Sequence, residues 1–204
     1  MPGQHDGNKA EFNIRNMAAV ALMAAVLCVV APLSLPFGPI PVTLGVLVIF
    51  LSIYAVGPGR AAAATGLYLL LGCAGLPVFS GFSAGFSKLV GPTGGYLIGY
   101  IPMAWTAGVL VKRGWSSSSR TAPVIQLAGL LLGLSVLYAL GTARFLQYMN
   151  SPILMGEKAG GMTLPKALGI CVWPFLPFDI LKAVLAVLIG GPLRRRLQRA
   201  GLLQ

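Results

Sequence analysis

Six apolar stretches, separated by short polar or Gly/Pro-rich breaks, run along this chain of 204 residues. The apolar residues are continuous rather than alternating, which favours helices over a transmembrane β-barrel. The pattern therefore predicts an all-α integral membrane protein of about six transmembrane helices, with spans at residues 14–35, 42–56, 61–73, 94–111, 123–146 and 168–192. The second and third spans are short for a full crossing of the membrane. We therefore expect local thinning of the bilayer, a tilted helix or a broken helix there.

Three connections differ from simple turns. Residues 36–41 form a Pro/Gly-rich turn, and residues 147–165 form a long link. Residues 76–93 are too apolar for a solvent-exposed loop and too Gly-rich for a stable helix. Irregular backbone at membrane depth must be buried in protein or line a cavity. We predict one six-helix domain over 14–192, between a polar tail (1–13) and a basic tail (193–204).

Composition and charge agree with this class. The chain is 56% hydrophobic and 9% charged, against about 25% charge in soluble domains. Its net charge of +11 comes from basic residues in the gaps between apolar stretches. This distribution is typical of residues that set the orientation of a membrane protein, and not of a nucleic-acid-binding surface. With both termini inside, one side holds Lys9, Arg15, Arg60, Lys112, Arg113, Arg120, Arg194, Arg195, Arg196 and Arg199. The other side holds Lys88, Arg144, Lys158 and Lys166. This asymmetry predicts cytoplasmic N- and C-termini in the cytoplasmic (inner) membrane, with the three connections outside.

The strongest functional candidate is a charged pair in the last span. Asp179 is the sole acid in any long apolar stretch, and Lys182 follows three residues later, on the same helix face. An unpaired charge at mid-bilayer costs about 2.5–3.5 kcal/mol by insertion scales. The pair is either an internal salt bridge or a ligand site in which Asp179 accepts from an N–H and Lys182 donates. Pro174 and Pro177 leave backbone carbonyls free near it.

Weaker candidates lie in the outer connections. In residues 91–96, Thr93 is a candidate helix cap and the glycines permit close backbone approach, although a tight junction explains them equally well. Residues 77–86 combine aromatics with Ser83, a pattern typical of a pocket for a flat ligand or of hydrophobic loop packing. Thr43 offers either a pocket hydroxyl or a bond back to its own helix.

The first helix carries small residues four positions apart, at Ala21 and Ala25. Such faces let membrane helices pack closely. The spacing alone leaves open whether this face packs inside the protein or against a partner.

Catalytic signatures are missing from the sequence. It has no carboxylate pair in the membrane, no nucleophile–histidine arrangement and no Walker A motif. The single histidine, His5, lies in the N-terminal tail, so a histidine-based metal site is not expected. Cys28, Cys73 and Cys171 read as small hydrophobic residues. We predict a protein that is not an enzyme, has no cofactor and does not hydrolyse ATP itself.

Four segments together resemble the BioY family, the biotin-specific substrate-capture (S) components of energy-coupling-factor (ECF) transporters. They are residues 38–43 (GPIPVT), 69–79 (LLLGCAGLPVF), 91–96 (GPTGGY) and 179–182 (DILK). The resemblance implies a six-helix protein with an outward-facing biotin pocket capped by loops. It also implies a membrane coupling subunit and two ATPase subunits as partners, which alone use ATP.

By this resemblance, the biotin-binding residues are Asp179, Lys182, Ser83, Thr43, Phe79, Gly85, Thr93 and Tyr96, and Ala21 and Ala25 dock on the coupling subunit. Asparagine at position 83 would be a stronger ligand for a ureido group than Ser83. Biotin has a cyclic urea with two N–H donors, a thioether ring and an anionic tail. Asp179 can accept from the urea, and Phe79, Phe82 and Tyr96 can cover the ring.

The sequence thus favours high-affinity biotin capture for uptake across the membrane as an ECF S component. The alternatives are a proton-coupled or solitary small-molecule carrier and a non-catalytic subunit of a membrane enzyme. We find no inverted repeat in the sequence, which disfavours a conventional two-halved carrier.

Overall fold

The computed structural model describes residues 14–35, 40–115, 121–156 and 160–201. Its helices are α1 (Ile14–Val30), α2 (Gly45–Val56), α3 (Pro58–Cys73), α4 (Ser87–Val90), α5 (Gly94–Trp115), α6 (Ala122–Met149), α7 (Pro152–Met155), α8 (Leu164–Cys171) and α9 (Leu176–Arg199). Two short strands, β1 (Ser34–Leu35) and β2 (Val42–Thr43), pair antiparallel. The predicted tail 1–13, most of the 36–41 turn and residues 202–204 of the basic tail lie outside the described residues.

The helical membrane fold is confirmed. Helices α5, α6 and α9 are long and apolar enough to cross a membrane, and α1 and α2 are shorter apolar helices. Together with α3, these helices match the six predicted spans. Helices α2 and α3, with 12 and 16 residues, are as short as their sequences suggest.

The predicted span 168–192 is not one continuous helix. Helix α8 ends at Cys171 and α9 begins at Leu176. Pro174 lies in the break, where its missing N–H and its ring oppose continuation of α8. Pro177 is tolerated because it lies in the first turn of α9. The break places Asp179 near the start of a helix rather than in its middle.

Other boundaries also differ from prediction: α5, α6 and α9 continue to Trp115, Met149 and Arg199, past the predicted ends at 111, 146 and 192. The first span ends as a helix at Val30, and residues 34–35 form β1 instead of a last helical turn. The predicted turn at 57–60 shrinks to Gly57, which has φ 87°, because Pro58 already begins α3. Proline is well suited to a first helical position, since the N–H it lacks has no partner there.

Close packing of α5 on α6 forms the centre of the bundle. A Cβ on Gly95 of α5 would clash with Arg144 and with the Leu140 carbonyl of α6. A Cβ on Gly133 of α6 would come within 2.7 Å of Ala107 in α5. Small residues at these contacts let the two helices approach closely. Helix α3 packs against α5, and α2 packs against α9.

The directions of α5, α6 and α9 define two ends of the bundle. The starts of α5 and α9 and the end of α6 meet at one end, which we call the Asp179 end. The opposite, basic end carries these described cations: Arg15, Arg60, Lys112, Arg113, Arg194, Arg195, Arg196 and Arg199. Within the described residues, Asp179 is the sole carboxylate. The basic end therefore has no described acid to balance its charge.

Candidate functional site

Asp179 and Lys182 form a buried ion pair. Their residues are 6% and 7% exposed, and Nζ of Lys182 lies 2.8 Å from Oδ1 of Asp179. The other carboxylate oxygen, Oδ2, accepts a hydrogen bond from the Tyr138 hydroxyl at 2.6 Å. Lys182 also donates to the Thr43 carbonyl at 2.8 Å. The pair thus ties α9 to α6 and to β2.

The position of Asp179 suits a carboxylate. It lies in the first turn of α9, where the helix dipole presents partial positive charge. Its own amide donates to the Phe175 carbonyl at 2.9 Å, so the backbone around it is helical and held in place. A buried charge at this point has a helix terminus, an ammonium and a phenol as its surroundings.

Above the pair lies a cavity of about 500 Å³. Ligand pockets in proteins typically have volumes of about 300–1,000 Å³. Five predicted site residues line it: Thr43, Phe79, Ser83, Thr93 and Tyr96. Its other lining residues include Ile40, Pro41, Tyr68, Lys88, Tyr100 and Tyr148. The 76–93 segment and the first turn of α5 therefore build one cavity, as the sequence predicted for irregular backbone at depth.

A recess of about 50 Å³ adjoins this cavity. The two share lining residues Ile40, Pro41, Thr43, Tyr96 and Tyr100, and the recess adds Tyr138 and Asp179. Asp179 therefore lines the recess and not the main cavity, so a ligand in the cavity meets its carboxylate through the recess.

Lys182 has a different position from the one predicted. It lines neither the cavity nor the recess, but an apolar groove on the far side of β2, together with Leu33, Phe82 and Leu181. Strand β2 separates the two spaces, with Thr43 facing the cavity and its carbonyl bound to Lys182. Lys182 thus supports Asp179 from behind.

The cavity walls are held by local contacts. Phe79 is 1% exposed and packs edge-on against Tyr68, with 5.7 Å between ring centroids. Ser83 donates its hydroxyl to the Ser80 carbonyl at 2.8 Å, leaving its oxygen as an acceptor. The Thr93 carbonyl accepts from the Tyr96 amide at 3.0 Å, as the residue before a helix does.

Two predicted contacts are not made at this cavity. Gly85 does not line it; its amide donates to the Gly72 carbonyl at 2.8 Å and so fastens the 76–93 segment to α3. Phe82 is 64% exposed and lies in the apolar groove, because Gly81 and Phe82 both adopt positive φ and turn the chain outward. That Phe82 covers a ligand ring stays a prediction, and in this arrangement its ring lies outside the cavity.

The tyrosines of the site were not identified from the sequence, apart from Tyr96. Tyr68, Tyr100 and Tyr148 line the cavity, and Tyr138 binds Asp179. The sequence did contain a signal for these residues, because a tyrosine in an apolar helix usually needs a hydrogen-bond partner for its hydroxyl. Tyr96 illustrates it: its hydroxyl donates to the Cys171 carbonyl at 3.3 Å. That carbonyl lies beside the α8–α9 break, in the region where the prolines were predicted to expose backbone acceptors.

Ala21 and Ala25 lie on the outer face of α1. Both are exposed, whereas Ala24 and Leu27 form the buried face of the same helix. The small-residue pair therefore does not pack inside the described part of the chain.

The arrangement combines three chemistries in one space. A carboxylate lies at the bottom, tyrosine and phenylalanine rings form the walls, and the exposed Lys88 lies at the rim. Such a site suits a ligand with N–H donors at one end, an apolar ring and an anionic tail. Among the described residues, no group of three or more His, Cys, Asp or Glu side chains is placed to hold a metal ion.

Comparison with known proteins agrees with this geometry. The chain is 36% identical over 182 residues to the biotin transporter BioY of Thermotoga maritima, covering 89% of this chain and 97% of that protein. It is 33% identical to the biotin transporter BioY of Rhodobacter capsulatus, covering 86% and 91% of the two chains. The fold matches a crystal structure of the S-component for biotin from an ECF-type ABC transporter, with a TM-score of 0.74 and 25% identity over 89% of this chain and 92% of that one. Residues 6–199 match the BioY family, and this multi-pass membrane protein therefore belongs to the BioY family.

Proposed function

We propose that this protein captures biotin with high affinity as the substrate-specific S component of an ECF-type transporter. The observation that carries the proposal is the buried Asp179 carboxylate at the bottom of a tyrosine-lined recess, beneath a cavity of ligand size. The names of its relatives and of its structural neighbour support the same ligand.

The cyclic urea of biotin fits the recess. One urea N–H donates to Asp179, whose two oxygens retain lone pairs beside their bonds to Lys182 and Tyr138. Tyr100, in the wall shared by cavity and recess, offers a hydroxyl to the urea oxygen. The thioether ring then lies among Phe79, Tyr68 and Tyr96, and the carboxylate tail extends to Lys88 at the rim.

Biotin binding to the purified protein tests the function directly. Calorimetry in detergent is expected to give saturable binding of biotin. Lipoate, which has a similar acid tail and a sulfur ring but no urea, is expected to bind far more weakly. No saturable biotin binding, or equal binding of lipoate, contradicts the proposal.

Variants of the ion pair test the site. Asp179→Asn removes the charged acceptor, and Lys182→Met leaves that carboxylate buried without its counter-charge. A hydrogen bond to a charged group contributes about 1.5–3 kcal/mol, so we expect affinity to fall at least about tenfold in each. Membrane insertion should persist in both, as judged by yield in the membrane fraction. Wild-type affinity in both variants would reduce the pair to a structural bridge.

We propose that the basic end faces the cytoplasm and the Asp179 end faces outward, in the cytoplasmic membrane. The excess of described cations at the basic end, over Lys88, Arg144 and Lys166 at the other, supports this orientation. In a background with Cys28, Cys73 and Cys171 changed to alanine, a cysteine replacing the exposed Lys166 should react with an impermeant maleimide on intact cells. A cysteine replacing Arg199 should react only after permeabilisation. The reverse pattern contradicts the orientation.

The outer face of α1 is proposed as the docking surface for the membrane coupling subunit. Ala21 and Ala25 are small and exposed, so a partner helix can approach closely there. In this assembly two partner ATPases use ATP, and this chain contributes biotin recognition without chemistry or cofactor of its own.

A further inference from the structure

A second cavity, of about 490 Å³, opens at the basic end of the bundle. It lies where the end of α5, the start of α6 and the end of α9 meet. One part of its lining is apolar and includes Val187, Leu188 and Pro192, and the other part carries Gln126, Arg194, Arg195 and Gln198. Nothing in the biotin site uses these residues, since the two cavities share no lining residue.

Trp115 lines this cavity with an unsatisfied donor. Its indole Nε1 is buried and has no hydrogen-bond partner among the described residues. The guanidinium of Arg194 stacks on the same ring, 3.4 Å from the centroid. Leaving a buried N–H unpaired costs about 1–3 kcal/mol, so an acceptor beyond the described residues is expected here.

The polar wall is pre-arranged around that donor. Arg194 donates to the Tyr54 carbonyl at 3.3 Å, and the Tyr54 hydroxyl donates to Gln126 Oε1 at 3.0 Å. These bonds hold Arg194 in place, while its guanidinium carries five N–H donors in all. The geometry favours an acceptor that takes several donors at once.

The charges favour an anion as that acceptor. Arg60 adds its positive charge to that of Arg194, and Arg195 lines the same cavity. The described part of the chain places no carboxylate at this end. Ala122 and Pro123, which begin the 28-residue α6, also line the cavity and bring the positive end of its dipole.

We propose that this cavity binds the phosphate of an anionic phospholipid. The apolar part of the lining favours a lipid over free phosphate, because Leu188 is 64% exposed and continues the lipid-facing surface of α9. The phosphate accepts from Arg194 and Arg195, and an acyl chain packs on Val187 and Leu188. Basic pockets between transmembrane helices recognise anionic headgroups in this way.

Tryptophan quenching tests the site. The chain has three tryptophans, and Trp105→Phe with Trp173→Phe leaves Trp115 as the reporter. Full-length protein in nanodiscs is titrated with phosphatidylglycerol or phosphatidylcholine carrying a nitroxide near the headgroup. Half-maximal quenching is expected at a mole fraction about tenfold lower for phosphatidylglycerol. Equal quenching by the two lipids overturns the proposal.

A matched pair of variants separates this site from general surface attraction. Arg195→Gln and Arg196→Gln make the same charge change at adjacent positions, but only Arg195 lines the cavity. Arg195→Gln is expected to weaken phosphatidylglycerol quenching about fivefold and Arg196→Gln to leave it unchanged. Equal losses in both variants overturn the site. Displacement of the labelled lipid by millimolar inorganic phosphate overturns the lipid as its occupant.

Discussion

Asp179 is held by a donor on each carboxylate oxygen before any ligand arrives. Lys182 fixes one oxygen and Tyr138 the other. A ligand N–H therefore meets an oriented acceptor, and little conformational freedom remains to be lost when it binds. Side-chain order of this kind lets a small cavity recognise a small polar group tightly.

Lys88 at the rim is proposed to recognise the acid tail of biotin. Lys88→Met is expected to lower affinity about fivefold, because an exposed ion pair contributes at most about 1 kcal/mol. Biotin methyl ester, which lacks the negative charge, should bind wild type and variant equally. Calorimetry with both ligands measures the difference. An equal loss for acid and ester would show that Lys88 does not read the carboxylate.

The ion pair was predictable and its surroundings were not. Positions i and i+3 share a helix face, so Asp179 and Lys182 are neighbours in almost any helical fold. Tyr138 lies 41 residues earlier, and its bond depends on how α6 packs against α9. The placement of Lys182 behind β2 likewise depends on its hydrogen bond to the Thr43 carbonyl, which lies 139 positions earlier in the chain.

At the scale of elements, helix breaks and close contacts shape the site. The α8–α9 break places Asp179 in a first helical turn and leaves the Cys171 carbonyl to bind Tyr96. Gly95 and Gly99 let α5 lie against α6, so that Tyr96 and Tyr100 reach the wall of the recess.

Gly95→Ala tests this close approach. A methyl group there would clash with Arg144 and the Leu140 carbonyl, so we expect a destabilisation of about 1–3 kcal/mol. Gly66→Ala is the matched control, because its nearest neighbour would lie 4.0 Å away. Alanine is favoured over glycine inside helices by about 1 kcal/mol, so the control should stabilise. Thermal unfolding in detergent measures both, and equal midpoints would contradict the packing argument.

Element type was easier to predict than element ends. Long apolar runs identified the six main helices, because burial in lipid or protein dominates over local preference. The ends depended on single residues with two roles: Pro58 starts α3, whereas Pro174 interrupts the last span. Proline permits both outcomes, and tertiary packing decides between them.

At the scale of the whole molecule, the three proposed functions occupy three separate surfaces. The ligand cavity lies at the Asp179 end, and most of the described cations lie at the opposite end. The small residues Ala21 and Ala25 are exposed on the outer face of α1, along the side of the bundle. A protein arranged in this way can bind biotin and a partner at the same time, since the two surfaces do not overlap.

Ala21→Trp and Ala25→Trp test the docking face. Each places a large ring where a partner helix would approach, so coupled biotin uptake is expected to fall severalfold while biotin binding to the isolated protein stays unchanged. Leu132→Trp is the control, because Leu132 is 54% exposed on α6, away from α1. Radiolabelled uptake in cells with the partner subunits provides the measurement. Full uptake in both α1 variants would exclude this face.

The rim position of Lys88 has an electrical consequence. Biotin brings one negative charge, and moving one elementary charge through 100 mV across a membrane costs about 2.3 kcal/mol. We predict that the Lys88 ammonium, by pairing with the carboxylate, cancels its charge, so that the membrane potential neither opposes nor drives a movement of the loaded site across the membrane. In Lys88→Met that compensation is lost, so the inward movement of the loaded site, measured in a single turnover, should slow in the variant, unlike in the wild type, as the membrane becomes more negative inside.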